Sequence, residues 1–307
     1  YDGSTWNLFT QLTDSSGNSQ DDFGISVAIS GDYAFVGAPG DDDNGNESGA
    51  VFIYYYNGTS WGFSQKLTAG GEDDTFGRSL SVDGSWLFVG AYGDDTTAND
   101  SGAAYAFRFT GSTWQQEQKV KAGDPSANDL FGFTVAVDGQ QLLIGAPYSN
   151  AAGAASGSVY VFAYENSNWE QQEKITASDG SAGQLFGYAL DISRKYAVVG
   201  AAKDDQYGTD AGAAYLLFYN ERTWVELLKF IPSDASSYDN FGYAVSLTEE
   251  FVVTGAPRDK DSVNTEGAAY VFDDIALYKP LPTISQYGLI LLLMGFGFLL
   301  FKSGFRK

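Results

Sequence analysis

Residues 23–68 read FGISVAISGDYAFVGAPGDDDNGNESGAVFIYYYNGTSWGFSQKLT, and the reading of this stretch decides the fold. Four runs suited to strands, SVAIS (26–30), YAFVGAP (33–39), AVFIYYY (50–56) and WGFSQKLT (61–68), are separated by Gly, Asp, Asn and Ser turns. Short turns between runs predict an antiparallel sheet in chain order. The middle runs are apolar on both faces, as in a sheet covered on both sides, whereas the fourth is polar and suits an exposed edge.

The same text recurs. Phe-Gly falls at Phe23, Phe76, Phe131, Phe186 and Phe241, and a Gly-Ala follows each Phe by fourteen residues, at Gly37, Gly90, Gly145, Gly200 and Gly255. Twelve further on stands Gly49, Gly102, Gly157, Gly212 or Gly267, and twelve beyond that Trp61, Trp114, Trp169 or Trp224. Only the stretch from Trp to the next Phe varies in length, so insertions are confined to one loop. Repeated four-stranded units predict an all-β β-propeller rather than a solenoid. The blades are 23–68, 76–121, 131–176, 186–231 and 241–272. The last lacks its Trp strand, and residues 1–13, whose YDGSTWNLFTQLT aligns with YNGTSWGFSQKLT from residue 56, are the candidate closing strand; the alternative places that strand in a further blade.

Phe-Gly followed by Gly-Ala-Pro, with Pro39, Pro147 and Pro257, resembles the FG-GAP repeats of integrin-α-type propellers and their bacterial relatives over residues 1–272. The resemblance implies a ring of blades, commonly seven, that serves extracellular recognition and adhesion. The calcium loops of that family do not carry over: where they would sit, this chain has tight turns such as Gly31-Asp32 and Asp83-Gly84, too short to supply six to eight oxygens.

Composition removes other chemistries. The 307 residues include no His and no Cys, so imidazole or thiolate nucleophiles, zinc sites and disulfides are excluded. With 39 acidic against 17 basic residues, a net charge of −22 argues against a nucleic-acid partner. No repeat carries an unusual constellation of carboxylates, so a non-enzymatic scaffold is expected, with a carbohydrate-active enzyme as the lesser alternative. No cofactor is required. Acids do recur after Gly-Ala: Asp41, Asp42 and Glu47; Asp94, Asp95 and Asp100; Asp204, Asp205 and Asp210. Such a loop either folds its carboxylates around a cation, giving weak Ca²⁺ binding, or spends them on turn hydrogen bonds. Blade three has Ser149, Asn150 and Ala155 there, so folding does not depend on the acids. The repeated Trp residues read as outer-strand packing or a sugar-binding surface. Trp86, outside their register, reads as a recognition hot spot or a partly buried ring.

Residues 273–280 form a linker, and 281–307 are a separate object containing Lys279's basic successors Lys302, Arg306 and Lys307 and no acid. The uncharged run 288–301, GLILLLMGFGFLLF, is about 21 Å long as a helix, short of a ~30 Å hydrocarbon core. Its basic flank places the C-terminus initially in the cytoplasm. Leu281, Pro282, Thr283, Ile284, Tyr287 and Gly288 within LPTISQYG resemble the C-terminal sorting signals of the IPTL-CTERM type, with Tyr287 where that motif has Trp. The resemblance implies a transmembrane helix handled by an exosortase-like enzyme and an exported protein of the cell surface or outer envelope. The expectation is a bacterial surface module that binds an extracellular protein or polysaccharide; the alternative is a passive surface structural protein.

Overall fold

The computed structural model describes residues 5, 7–14, 17–18, 20–259 and 267–273. The described residues lie within one compact unit, Tyr1–Ala276. The sorting motif, the 288–301 helix and the basic tail lie outside the described residues, as does Trp6.

Every described element is a strand. Blade one comprises β1 (Ser26–Ser30), β2 (Tyr33–Ala38), β3 (Ala50–Tyr56) and β4 (Trp61–Leu67), and blade two β5 (Ser79–Asp83), β6 (Trp86–Ala91), β7 (Ala103–Phe109) and β8 (Trp114–Val120). Blade three contains β9 (Thr134–Asp138), β10 (Gln141–Ala146), β11 (Ser158–Glu165) and β12 (Asn168–Ile175). Blade four contains β13 (Phe186–Ser193), β14 (Tyr196–Ala201), β15 (Ala213–Tyr219) and β16 (Trp224–Phe230), and blade five β17 (Ala244–Leu247), β18 (Val252–Ala256) and β19 (Ala268–Phe272). Each sheet is antiparallel in chain order. The register shifts by one residue at the same point of each β3–β4-type pair, between Ile53 and Tyr54 in blade one and between Ala106 and Phe107 in blade two. The first strand of each blade is innermost, with β1, β5, β9, β13 and β17 packed in succession.

Blades stack through apolar side chains contributed by neighbouring sheets. Between blades two and three, Phe88, Ala104 and Ala106 meet Val135, Val137, Tyr160 and Trp169. Phe76, Phe131, Phe186 and Phe241 are wholly buried at successive junctions. The backbone follows: Phe76 N–H donates to Ser48 O at 3.2 Å, and Gly49 forms a parallel bridge to Phe76, an arrangement repeated at Gly102, Gly157 and Gly212. The Gly of Gly-Ala is what allows this approach. A Cβ on Gly90 would stand 2.0 Å from the Gly132 carbonyl oxygen of the next blade, so any side chain would force the blades apart.

The series does not close. Val27 and Ile29, on the face blade one turns away from blade two, are 69% and 68% exposed, whereas their counterparts Val135 and Val137 are 6% and 7% exposed. At the other end Val271 is 64% exposed, and its counterpart Val161 only 1%. A Cβ on Gly255 would meet nothing nearer than Ala244 Cβ of its own blade at 3.8 Å. With both end faces in solvent, the described blades form an open arc.

Blade five has three described strands, in keeping with its missing Trp strand, and among the described residues none of residues 1–13 pairs with β19. Leu12 instead packs against Phe23, Val36, Phe52 and Tyr54 of blade one, as Leu67 packs against Phe76, Val89, Tyr105 and Phe107 of blade two. Tyr54 Oη donates to Thr13 O at 3.1 Å. The segment therefore takes the position of the outer strand of a blade preceding blade one.

Candidate functional site: the loop end of the blades

Antiparallel order places the connections between second and third strands, and those leading from one blade to the next, at one end of every sheet. The tight first-to-second and third-to-fourth hairpins occupy the other. The acidic segments belong to the loop end, and the structure separates the roles of their carboxylates.

The first acid of each loop is buried and paired. Asp41 accepts from Lys66 Nζ at 2.7 and 2.9 Å, Asp94 holds Lys119, and Asp204 accepts from Lys229 at 2.8 Å. In blades two and four a third-strand phenol joins the pair: Tyr105 Oη donates to Asp94 at 3.0 Å, and Tyr215 Oη to Asp204 at 3.2 Å. Blade three has Ser149 there, and the carboxylate arrives from the preceding loop instead: Asp124 accepts from Lys174 at 2.8 Å and from Tyr160 at 2.9 Å. Each lysine also lies over the third-strand ring, 4.9–5.2 Å from its centroid. Burial alone would raise the Asp94 carboxyl; hydrogen bonds from Lys119 and Thr96 reverse this and hold it below the usual carboxylate range. Burial first, and then Asp94, push the Tyr105 phenol up.

The second acid closes the loop. Asp42, Asp95 and Asp205 accept from the backbone N–H of Glu47, Asp100 and Asp210 at 2.8, 2.6 and 2.7 Å, and Asn150 does the same for Ala155 at 2.8 Å. The third position is left-handed in every case, with φ of 45°, 48°, 50° and 52° at Glu47, Asp100, Ala155 and Asp210. In the three acidic loops, then, the first carboxylate holds a lysine and the second closes the loop, so the two point to different partners. Among the described residues, the three-carboxylate group with metal-like spacing is Asp14, Asp21 and Asp41, whose oxygens lie within 4.8 Å of one another. It shares Asp41 with Lys66, which already supplies a cation there. Of the nine predicted ligands, only Asp41 belongs to it.

Residues the sequence reading passed over build the more distinctive feature. The position just after each Phe-Gly carries Ile25, Arg78, Phe133, Tyr188 and Tyr243, at the loop end of successive inner strands. Their side chains meet in series: the Arg78 guanidinium lies 5.1 Å from the Phe133 ring centroid, Phe133 lies 4.9 Å from Tyr188, and Tyr188 lies 5.1 Å from Tyr243, with tilted rings. Tyr92 adds a flanking ring 5.6 Å from Phe133. Burial and a hydrogen bond with Tyr243 raise the Tyr188 phenol. The Phe-Gly anchors themselves held the signal, since the next residue is aromatic in three blades of five. The outer-strand lysine was equally legible, at the fifth residue after each of Trp61, Trp114, Trp169 and Trp224.

The tryptophans lie elsewhere. Trp114, Trp169 and Trp224 are buried between blades, Trp169 standing edge-on to Phe88 at 4.8 Å. Trp86 packs against Tyr164 and Trp169 at the same junction. These rings are packing residues; on the inner rim of the loop end Phe133 and Tyr188 are half-buried and Tyr243 is exposed.

A sequence profile described as FG-GAP repeat matches residues 6–54, 61–107, 114–162, 169–218 and 224–272. No curated protein sequence matches the chain. Among solved structures, it is similar to the crystal structure of Saccharomyces cerevisiae Sqt1 at 14% identity and a TM-score of 0.48, covering 85% of this chain and 65% of that one.

Proposed function

The chain belongs to the FG-GAP repeat family, and from that premise we propose that it is a non-enzymatic, integrin-α-like recognition module that is exported and acts in adhesion at the cell surface. The observation that carries this reading is the rim of Arg78, Phe133, Tyr188 and Tyr243, where four blades bring side chains into one series at the end of the molecule that bears its longest loops. Aromatic faces offer sequence-tolerant apolar contact, and Tyr hydroxyls add directional hydrogen bonds. The exposed acids Asp42, Asp95 and Asp205 add negative charge to the same end. A basic segment of an extracellular protein or a neutral polysaccharide suits that surface better than an anionic polymer, unless cations bridge the latter. Export, handling by an exosortase-like enzyme and membrane attachment rest on the 281–307 resemblance.

The test titrates fluorescently labelled protein onto producing cells and their extracellular polymer, in calcium and then in chelator. Saturable binding that falls at least tenfold in a Tyr188→Ala, Tyr243→Ala variant is expected, about 1.4 kcal/mol or more from two rings. Absence of saturable binding in both buffers moves the protein to the passive structural class.

A further inference from the structure

The residue two places before each Phe-Gly is buried: Asp21, Asp74, Asp129, Gln184 and Asp239 in blade order. Blade four shows what this position faces, because the Gln184 side-chain amide donates to Asp204 Oδ2 at 2.5 Å, the first acid of the loop between second and third strands. A neutral donor meets a carboxylate there. In blade one the same two places hold Asp21 and Asp41, 4% and 3% exposed, so a second carboxylate stands where blade four has an amide. Asp14 joins them from the start of the same connector, and one oxygen of each of the three lies within 4.8 Å of the others.

The charges balance differently from blade to blade. Blade four sets Asp179 and Asp204 against Lys229, and blade three sets Asp124 and Asp129 around Lys174, so that one negative charge is left over in each. Blade one sets Asp14, Asp21, Asp41 and Asp43 against Lys66, and four negative charges less one positive leave three. The bonds of Lys66 go to Asp41 and Asp43. Asp21 is left short: its Oδ2 accepts from Asn18 N–H at 2.7 Å, and its Oδ1 is buried with no hydrogen-bond partner. A buried carboxylate oxygen in that condition is strongly unfavourable until a cation or a proton meets it. Gly17 keeps the approach clear, since a Cβ there would stand 2.9 Å from Asp14 Oδ2 and 3.1 Å from Asp21 Oδ2.

All of these residues belong to blade one and its own connector. Where one blade follows another, the earlier loop reaches the connector through backbone, with Asn46 O, Glu47 O and Ser48 O accepting from Asp73, Thr75 and Phe76 N–H. The Asp74 carboxylate meanwhile accepts from Gly71 N–H within its own connector. The carboxylate group is thus a feature internal to a blade.

We propose that Asp14, Asp21 and Asp41 bind one hard divalent cation, calcium, which fastens the connector before blade one to that blade's second-to-third loop. Carboxylate oxygens are the ligands such an ion takes, and an irregular oxygen set suits calcium better than magnesium, which demands near-octahedral geometry. Water completes the shell. A carboxylate oxygen has more than one acceptor site, so Asp41 keeps Lys66 while it binds the ion. The site lies at the loop end, away from the first-to-second hairpins, and it draws on two segments of chain rather than on the acids of a single loop.

The test strips the full chain of metal with a chelator, titrates it with calcium chloride, and follows the melting temperature and the heat of binding. The wild-type melting temperature is expected to rise with calcium concentration. Asp21→Asn gives blade one the amide that Gln184 provides in blade four, so in chelator this variant should melt no lower than the wild type. In calcium its upward shift should be lost and its affinity should fall at least tenfold. Asp14→Asn, at a partly exposed position, should lose the shift as well, and it decides the matter if Asp21→Asn folds poorly. A calcium shift that survives both substitutions belongs to other acids and overturns the proposal. So does a wild type that melts at the same temperature in calcium and in chelator, which would leave a proton rather than a metal on Asp21.

Discussion

At the residue scale, the first acid of each recurring cluster is accounted for by the lysine it holds. Asp94 is buried against Lys119, whose side chain remains about a quarter exposed, so part of the attraction is screened. Asp94→Asn removes the charge but keeps the shape, and it should cost about 1–3 kcal/mol of unfolding free energy. Because Asp94 is held below its ordinary value in the folded protein, its contribution is present above the unfolded carboxylate value, about 3.9, and is lost as pH falls through the folded one. The gap between wild type and Asp94→Asn in urea melts should therefore be constant near neutrality and close in acid. A gap that stays open at low pH would show that the pairing is not the source. Blade three explains why the recurrence was ambiguous in sequence: Ser149 reads as loss of an acid, yet Asp124, from a different loop, delivers the carboxylate to the same lysine position. A partner that comes from either of two loops leaves no fixed spacing to read.

At the element scale, strand order, hairpins and the exposed outer edge were legible because each follows from local pattern: two-residue turns, apolar middle strands, polar fourth strands. Junctions between blades were legible only as a glycine periodicity whose reason is steric. Gly90→Ala places a methyl group 2.0 Å from Gly132 O and should lower the melting temperature by several degrees, a cost of about 1–3 kcal/mol for overpacking. The equivalent Gly255→Ala, with 3.8 Å of clearance, should leave the melt of dilute protein unchanged. Equal losses at the two positions would mean that something packs on blade five within the single molecule and would contradict the open arc. The aromatic rim escaped notice for a different reason. Rings one repeat apart in sequence become neighbours only because the inner strands converge, and no single repeat displays more than one of them.

At the scale of the whole molecule, the number of blades was countable in the sequence and their closure was not. Closure depends on the angle between blades, which many small contacts set jointly and no residue type announces. The alignment of residues 1–13 with the outer strands suits a closing strand of blade five and a strand of a further blade equally, since Leu12 packs on blade one as both require. What the arc retains is a clear division of its two ends, with loops and the aromatic rim at one and hairpins at the other. The account rests on the loop end as the recognition surface. The most direct measurement is hydrogen–deuterium exchange of the protein free and bound to the extracellular material of its producing cells. Protection concentrated at residues 130–134, 185–189 and 240–244 and in the neighbouring acidic loops is the predicted result; protection confined to the hairpin turns near residues 31, 84, 139 and 194 would contradict it.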